Sequence, residues 1–320
     1  MNAGKIVTLG EILVEIMAQD VGQSFRSAGP LVGPFASGAP AIFIDQVAKL
    51  GHPCGMISAV GDDDFGWLNI ERLKQDGVDV GAIAISEEYP TGSAFVRYRD
   101  NGERDFVFNI KHSACSKIAV DAAAERLLED CGHFHVMGSS LFSFRMIDAM
   151  KKAIEIVKAK GGTISFDPNV RKEMLNIPEM RAALEFMLGY CDIFLPSGPE
   201  LMLLTEAKDE ASAIDEILKQ GVQSIVVKRG AEGSSYHDGT TTLRAPPLLT
   251  KEIDPTGAGD CFGATFVTCR RLGRSIEESL LYANASGART VTVRGPMEGA
   301  STFAELDAFI SERRQAGASA

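Results

Sequence analysis

No run of apolar residues in this chain approaches the ~18 needed to cross a bilayer. Nor does a basic start followed by a short apolar core mark a secretory leader. Positive charge is in deficit: 32 Lys and Arg against 43 Asp and Glu leave a formal charge of −11. A chain with that balance suits neither nucleic acid nor an anionic membrane surface, so neither is expected as a partner. Any phosphate site must then be made locally, from backbone N–H groups and a few cations. Cysteine is sparse and scattered (Cys54, Cys115, Cys131, Cys191, Cys261, Cys269), with no C-x-x-C pair. That argues against a disulfide scaffold or a thiolate metal site and for buried thiols in a reducing compartment, hence a soluble cytoplasmic protein. The phosphate-loop pattern G-x-x-x-x-G-K-[ST] does not occur. No repeat, low-complexity tract or linker interrupts the 320 residues, a length that suits one large α/β domain with an added element.

What is present centres on Ile253-Asp254-Pro255-Thr256-Gly257-Ala258-Gly259-Asp260-Cys261-Phe262-Gly263. Pro255 fixes one backbone angle and pushes Asp254 into an extended conformation. Gly257 and Gly259 then allow a sharp turn and a close approach to a ligand. Phe262, Phe266, Val267 and Cys269 follow at helical spacing, so a loop feeds a helix start. Free N–H groups and the positive end of the helix dipole make such a start a phosphate site. Asp260 stands at the same place. It can be an ordinary cap; beside an anion site it can also take a proton from a hydroxyl that attacks a phosphoryl group. The glycines Gly257, Gly259 and Gly263 are mis-spaced for the dinucleotide fingerprint and come too late in the chain for it.

The remaining elements read as follows. Lys5–Leu9 is a short strand ending at Gly10, and an alternating segment carries Glu11 and Glu15. A helix opening at Gly38-Ala39-Pro40 stops at Gly51. Asp62-Asp63-Asp64 reads as a turn with helix N-terminal charge rather than as a metal cluster. Thr91–Arg99 and Glu103–Ile110 alternate around Asp100-Asn101-Gly102, a hairpin signal, with Phe106, Phe108 and Ile110 on one face. An amphipathic hairpin of this kind is a candidate lid, since phosphoryl transfer requires excluding water. From Ala119 onward strands alternate with helices, which indicates a mostly parallel sheet with helices on both faces and ligands at the carboxyl ends of its strands.

The glycine stretch resembles the D-T-x-G-A-G-D-x-F signature of the ribokinase-like (PfkB-type) carbohydrate kinases. Further segments match in family order. Ser37-Gly38-Ala39-Pro40-Ala41-Ile42 keeps only the Gly-Ala-Pro of the first signature. Asp167-Pro168-Asn169-Val170-Arg171 is similar to D-x-N-x-R. Pro196-Ser197-Gly198-Pro199-Glu200 carries Ser where the family's N-x-x-E has Asn. Val227-Lys228-Arg229-Gly230-Ala231-Glu232-Gly233 is similar to V-K-x-G-x-x-G, and Ala283-Asn284-Ala285-Ser286-Gly287 to the adenine-side helix.

The resemblance implies a ribokinase-like α/β fold over residues 1–320, with lid strands near 11–17, 31–36 and 91–110. It implies Asp260 as base and Gly257, Ala258 and Gly259 as the anion hole. The sugar would meet Glu11 or Glu15, Gly38, Ala39, Phe108, Arg171 and Asp260. ATP would meet Ser197, Lys228, Gly230, Gly233, Gly257, Gly259, Ala283, Asn284 and Gly287. Mg²⁺ is implied at Glu200 through water, a monovalent cation such as K⁺ near Asp254 and Thr256, and a homodimer through the lid. The opening segment and 104–114 are most similar to bacterial tagatose kinases, with 2-keto-3-deoxygluconate kinases as near relatives. The latter place Arg where this chain has Ile110, so a neutral ketohexose is expected before a sugar acid; fructose remains an alternative. A non-catalytic sugar or nucleotide sensor on the same fold is the reading from another class.

Overall fold

The computed structural model describes residues 4–101, 103–170 and 178–318. Its strands are β1 (Lys5–Leu9), β2 (Leu13–Ala18), β3 (Leu31–Ser37), β4 (Cys54–Gly61), β5 (Asp79–Ser86), β6 (Gly92–Tyr98) and β7 (Arg104–Asn109), followed by β8 (Cys131–Met137), β9 (Thr163–Asp167), β10 (Ile193–Phe194), β11 (Ser224–Lys228), β12 (Ser234–His237) and β13 (Thr242–Ala245). Its α-helices are α1 (Ala39–Lys49), α2 (Asp64–Asp76), α3 (Ala122–Glu129), α4 (Phe144–Ala159), α5 (Pro178–Tyr190), α6 (Glu210–Lys219), α7 (Ala258–Arg271), α8 (Ile276–Thr290) and α9 (Phe303–Ala318).

Among the described residues nine strands form one sheet, in the order β13-β12-β11-β10-β9-β8-β1-β4-β5. It is parallel from β11 to β5, and β12 and β13 join it antiparallel. Parallel strands need apolar side chains on both faces because helices cover both. In β1, Val7 and Leu9 pack into one core and Ile6 into the other. The chain runs outward from β1 to β4 and β5, then returns to β8 on its other side. That reversal opens a crevice above the carboxyl ends of β1 and β8, where open α/β sheets bind ligands.

A second sheet, in the order β3-β2-β6-β7, contains the segments expected as lid strands. β6 and β7 pair antiparallel, with Tyr98 opposite Arg104 and Ala94 opposite Phe108.

Local chemistry accounts for most boundaries. Asp63 caps α2, its carboxylate accepting from the Gly66 and Thr91 N–H groups, and α2 ends at Gly77 in the left-handed region. Asp62 accepts from the Trp67 indole N–H, and Asp64 lies in the first turn of α2, so these carboxylates serve the turn and the helix start. Ser275 and Glu278 close a reciprocal capping box on α8, which therefore starts at Ile276. The edge strands β5, β12 and β13 were not evident from sequence. β12 and β13 have four residues each, too few for periodicity to register, although Asp238-Gly239 between them is a hairpin signal.

Candidate active site

A cleft of about 710 Å³ lies between the carboxyl ends of the large sheet and the small sheet. Its floor is the start of α7. Gly257 sits at φ 83°, where an added Cβ would strike the Pro296 carbonyl oxygen, so glycine is required there. The helical ladder begins with Cys261 N–H on Gly257 O at 2.9 Å. The N–H groups before it therefore point out of the helix start. Ala258 N–H lies 3.4 Å from Pro255 O, a weak bond that leaves it largely available to an anion.

Asp260 lines the cleft in the first turn of α7. Enclosure raises its pKa to about 8, reinforced by Asp167 and Glu11 and opposed by Lys228 and Arg104. Asp167 closes β9 and is hydrogen-bonded to the Lys228 ammonium at the end of β11. Its own pKa is raised to about 6, mainly by burial, with Lys228 opposing. Burial tends to lower the Lys228 pKa, but the attraction of Asp167 and Glu200 outweighs it and the net shift is upward. The ammonium therefore stays charged beside the anion loop.

Glu11 and Glu15 both line the same cleft, and Glu11 lies close enough to Asp260 to act on its pKa. The Ser139 and Ser140 hydroxyls, on the loop after β8, donate to Glu11 at 2.8 and 2.6 Å. The Ser37 hydroxyl donates to Glu15 at 3.3 Å. Gly38 and Ala39, at the start of α1, line the same cleft. Gly38 has φ 114° and passes so close to Glu11 that a Cβ would strike the Glu11 carbonyl oxygen. Phe106 and Phe108 form one wall, stacked 5.2 Å apart, with Ile110 beyond them.

The remaining expected residues divide. Ser197, Glu200, Lys228 and Gly230 come together along one side of the cleft. Glu200 accepts from Ser197 N–H (2.8 Å), Ser197 Oγ (2.7 Å) and Val170 N–H (2.9 Å). It thus ties two loops together and remains at the rim as a carboxylate that could meet a hydrated Mg²⁺, which keeps most of its own waters. Asp254 and Thr256 fit a monovalent cation poorly through their side chains. Asp254 Oδ1 accepts from Tyr98 OH and Thr256 N–H, its Oδ2 accepts from Gly295 N–H, and Thr256 Oγ1 accepts from Arg104 Nη1.

Four residues expected on the nucleotide side are not among those that line the cleft. Ala283, on α8, is fully buried in the core. Asn284 spends its amide donors on the Ala245 and Pro246 carbonyls. Gly233 is packed against the end of β13, where a Cβ would strike the Ala245 carbonyl. Gly287 brings α8 close to the α7 start, a Cβ there lying 3.2 Å from Ala258 O. Arg171 and Gly102 lie outside the described residues. Sequence reasoning passed over Arg104 and Ser139 as site residues. The only signal for Arg104 was its place directly after the hairpin turn, in register with Phe106 and Phe108.

An open, mostly parallel sheet whose switch-point crevice ends in a helix start with a carboxylate defines a phosphotransferase site. The model of the pfkB family carbohydrate kinases matches residues 4–302, and the chain belongs to that family. It is 30% identical to fructokinase-1 of Zea mays, over 96% of this chain and 98% of that protein. It is also 30% identical to 2-dehydro-3-deoxygluconokinase of Bacillus subtilis, over 96% of each. A crystal structure from E. coli, provisionally named ribokinase II and holding ATP and Mg²⁺, superposes with a TM-score of 0.93. That match is 54% identical and covers 97% of this chain and 99% of the other. The protein is a carbohydrate kinase with the ribokinase-like fold.

Proposed function

We propose that this kinase transfers the γ-phosphoryl of ATP to a hydroxyl of a neutral ketohexose, D-tagatose to D-tagatose 6-phosphate foremost. Asp260 takes the hydroxyl proton as the oxygen attacks. The N–H groups of the Gly257-Ala258-Gly259 loop stabilise charge on the transferred phosphoryl, with Lys228 beside them. Glu200 would meet the waters of a Mg²⁺ ion bound with ATP, and the ion would supply neutralisation of the phosphate charge. Support for ATP and Mg²⁺ comes from the E. coli relative that holds both.

The observation that carries the choice of sugar is the group of residues around Glu11 and Glu15. Two carboxylates, Glu11 and Glu15, stand there with Gly38, and Ile110 lines the wall at the position where the sugar-acid pattern has arginine. Carboxylates accept hydrogen bonds from sugar hydroxyls and repel a sugar carboxylate. The ring faces of Phe106 and Phe108 offer the apolar wall that a hexose carbon skeleton packs against.

The test is ADP formation from ATP and Mg²⁺ with tagatose, fructose, ribose, other ketoses and 2-keto-3-deoxygluconate, with Asp260→Asn as control. The expected result is the highest kcat/KM with a neutral ketohexose and loss of turnover in the variant with sugar binding retained. A leading sugar acid overturns the substrate reading, and near-normal turnover in Asp260→Asn removes the base.

A further inference from the structure

Two residues of the small sheet reach across to the anion-binding loop. Tyr98 on β6 and Arg104 on β7 are directly opposed cross-strand partners, so their side chains share one face. Their targets are two residues apart: Tyr98 OH donates to Asp254 Oδ1 at 2.7 Å, and Arg104 Nη1 donates to Thr256 Oγ1 at 2.8 Å. Between these targets is Pro255, and directly after them comes Gly257, the cap of α7.

Asp254 is the fixed point of this arrangement. It is 1% exposed and also receives the N–H groups of Thr256 and Gly295. A shift of Tyr98 or Arg104 therefore reaches the backbone that carries the phosphate-binding N–H groups.

Arg104 is unusual for its surroundings. Arg97 on β6 and Arg99 just past its end are both paired with Asp105 on β7. Among the described residues no carboxylate lies within ion-pair distance of Arg104, although the protein is acidic and the guanidinium is half-buried. Its contacts are the Thr256 hydroxyl and the face of Phe106, 5.5 Å from the ring centroid. Its charge acts instead on Asp260, whose pKa rise it opposes, so its place belongs to the site rather than to a surface ion pair. Phe106 belongs to the wall of the cleft. Arg104 thus joins that wall to the anion loop.

We propose that Tyr98 and Arg104 form a latch through which the small sheet sets the position of the anion-binding loop, with Arg104 as a positioning residue for phosphoryl transfer. The inference rests on the kinase reading and deepens it. When the sheet lies down on a bound acceptor, the latch holds the loop N–H groups on the phosphoryl. When the sheet is displaced, the loop loses two of its anchors. Transfer to the sugar is thereby favoured over transfer to water.

The test uses the full chain with Arg104→Met, Arg104→Lys, Tyr98→Phe, Thr256→Val and the Arg104→Met/Thr256→Val double variant. With the best sugar found, Arg104→Met lowers kcat about 10–100-fold, since misplacement by about 1 Å can cost that much, while the sugar KM stays within about threefold. Arg104→Lys recovers part of the loss. The double variant is no worse than the worse single, because both remove one contact. The ratio of sugar-dependent to sugar-independent ADP release falls in Arg104→Met. A kcat within twofold of wild type, or strictly additive single effects, overturns the latch.

A readout independent of turnover separates this inference from the kinase reading. Amide hydrogen exchange over residues 254–260 in the unliganded protein is faster in Arg104→Met and Tyr98→Phe than in wild type, with the large-sheet strands unchanged. Unaltered exchange there overturns the latch whatever the sugar. Faster exchange in these variants, where the wild type phosphorylates no sugar, would preserve the latch and remove the proposed substrate.

Discussion

Asp260 combines two demands that oppose each other. A base must be ionised to accept a proton, yet a carboxylate at the bottom of a closing cleft next to Asp167 and Glu11 resists ionisation, and its pKa rises to about 8. Lys228 and Arg104 restrain that rise, and the helix start favours the ionised form. The free enzyme's kcat/KM should therefore increase with pH through the neutral to mildly alkaline range and level off above it. A flat profile from pH 6 to 9 in a wide-range buffer would contradict a base so placed.

The same shift makes a stability prediction. A carboxyl whose pKa is raised on folding favours the folded state fully below its unfolded value of about 4, and that contribution is lost as pH climbs through the folded value. Asp260→Asn should thus have a higher Tm than wild type at pH 8–9, with the difference vanishing toward pH 4. Equal Tm values across that range would mean that burial does not strain this group.

At the scale of elements, the start of α7 decides whether the site exists. Gly257 lies in the left-handed region, and the Pro296 carbonyl occupies the space where a side chain would begin. An alanine there costs about 1–2 kcal/mol in backbone strain alone and must also push the two segments apart. The global fold should survive, because α7 is anchored by Phe262, Phe266 and Val267 in the core. The N–H groups, however, would leave the position of the phosphoryl oxygens. Gly257→Ala is expected to lower kcat at least about 10²-fold, the usual effect of losing one such donor, with only a small fall in Tm. Activity near wild type would show that the loop N–H groups are not used. Helix α8 shows why a motif match is not a contact map. Ala283-Asn284 was readable as an adenine-facing segment, yet the turn of α8 puts Ala283 in the core and spends the Asn284 donors on the chain after β13.

For the whole molecule, the cleft is bounded by two sheets that come from interleaved segments of one chain. β2 and β3 leave the large sheet after β1, and β6 and β7 leave it after β5. A ligand that touches the large sheet and the α7 start binds only the folded arrangement, so it stabilises the protein by mass action. A non-hydrolysable ATP analogue with Mg²⁺, at about a hundredfold excess over its Kd, should add about 2.7 kcal/mol and raise Tm by roughly 5 °C. The absence of any shift at saturating analogue would remove ATP as the donor. No described helix is long and apolar enough to cross a membrane.

Local patterns determined much of this protein. The alternation of apolar strands and helices specified a parallel α/β sheet, because each pattern admits one way of burying its apolar face. Pro255, Gly257 and Gly259 before a helical run specified an anion-binding helix start, because few other residues tolerate that backbone. Asp260, Lys228 and Gly38 were legible for the same reason, each lying in a short motif whose chemistry is local. What only the tertiary structure decided involves residues far apart in sequence. The chain reversal at β1 brings Ser139 and Ser140 to Glu11, and both Glu11 and Glu15 into one cleft. The small sheet brings Tyr98 and Arg104 onto Asp254 and Thr256, across more than 150 positions. Packing closes Ala283 away from the site and fills the Asp254 carboxylate with protein donors. Periodicity and turn chemistry report what a segment prefers by itself; which segments meet depends on the order in which the strands enter the sheet.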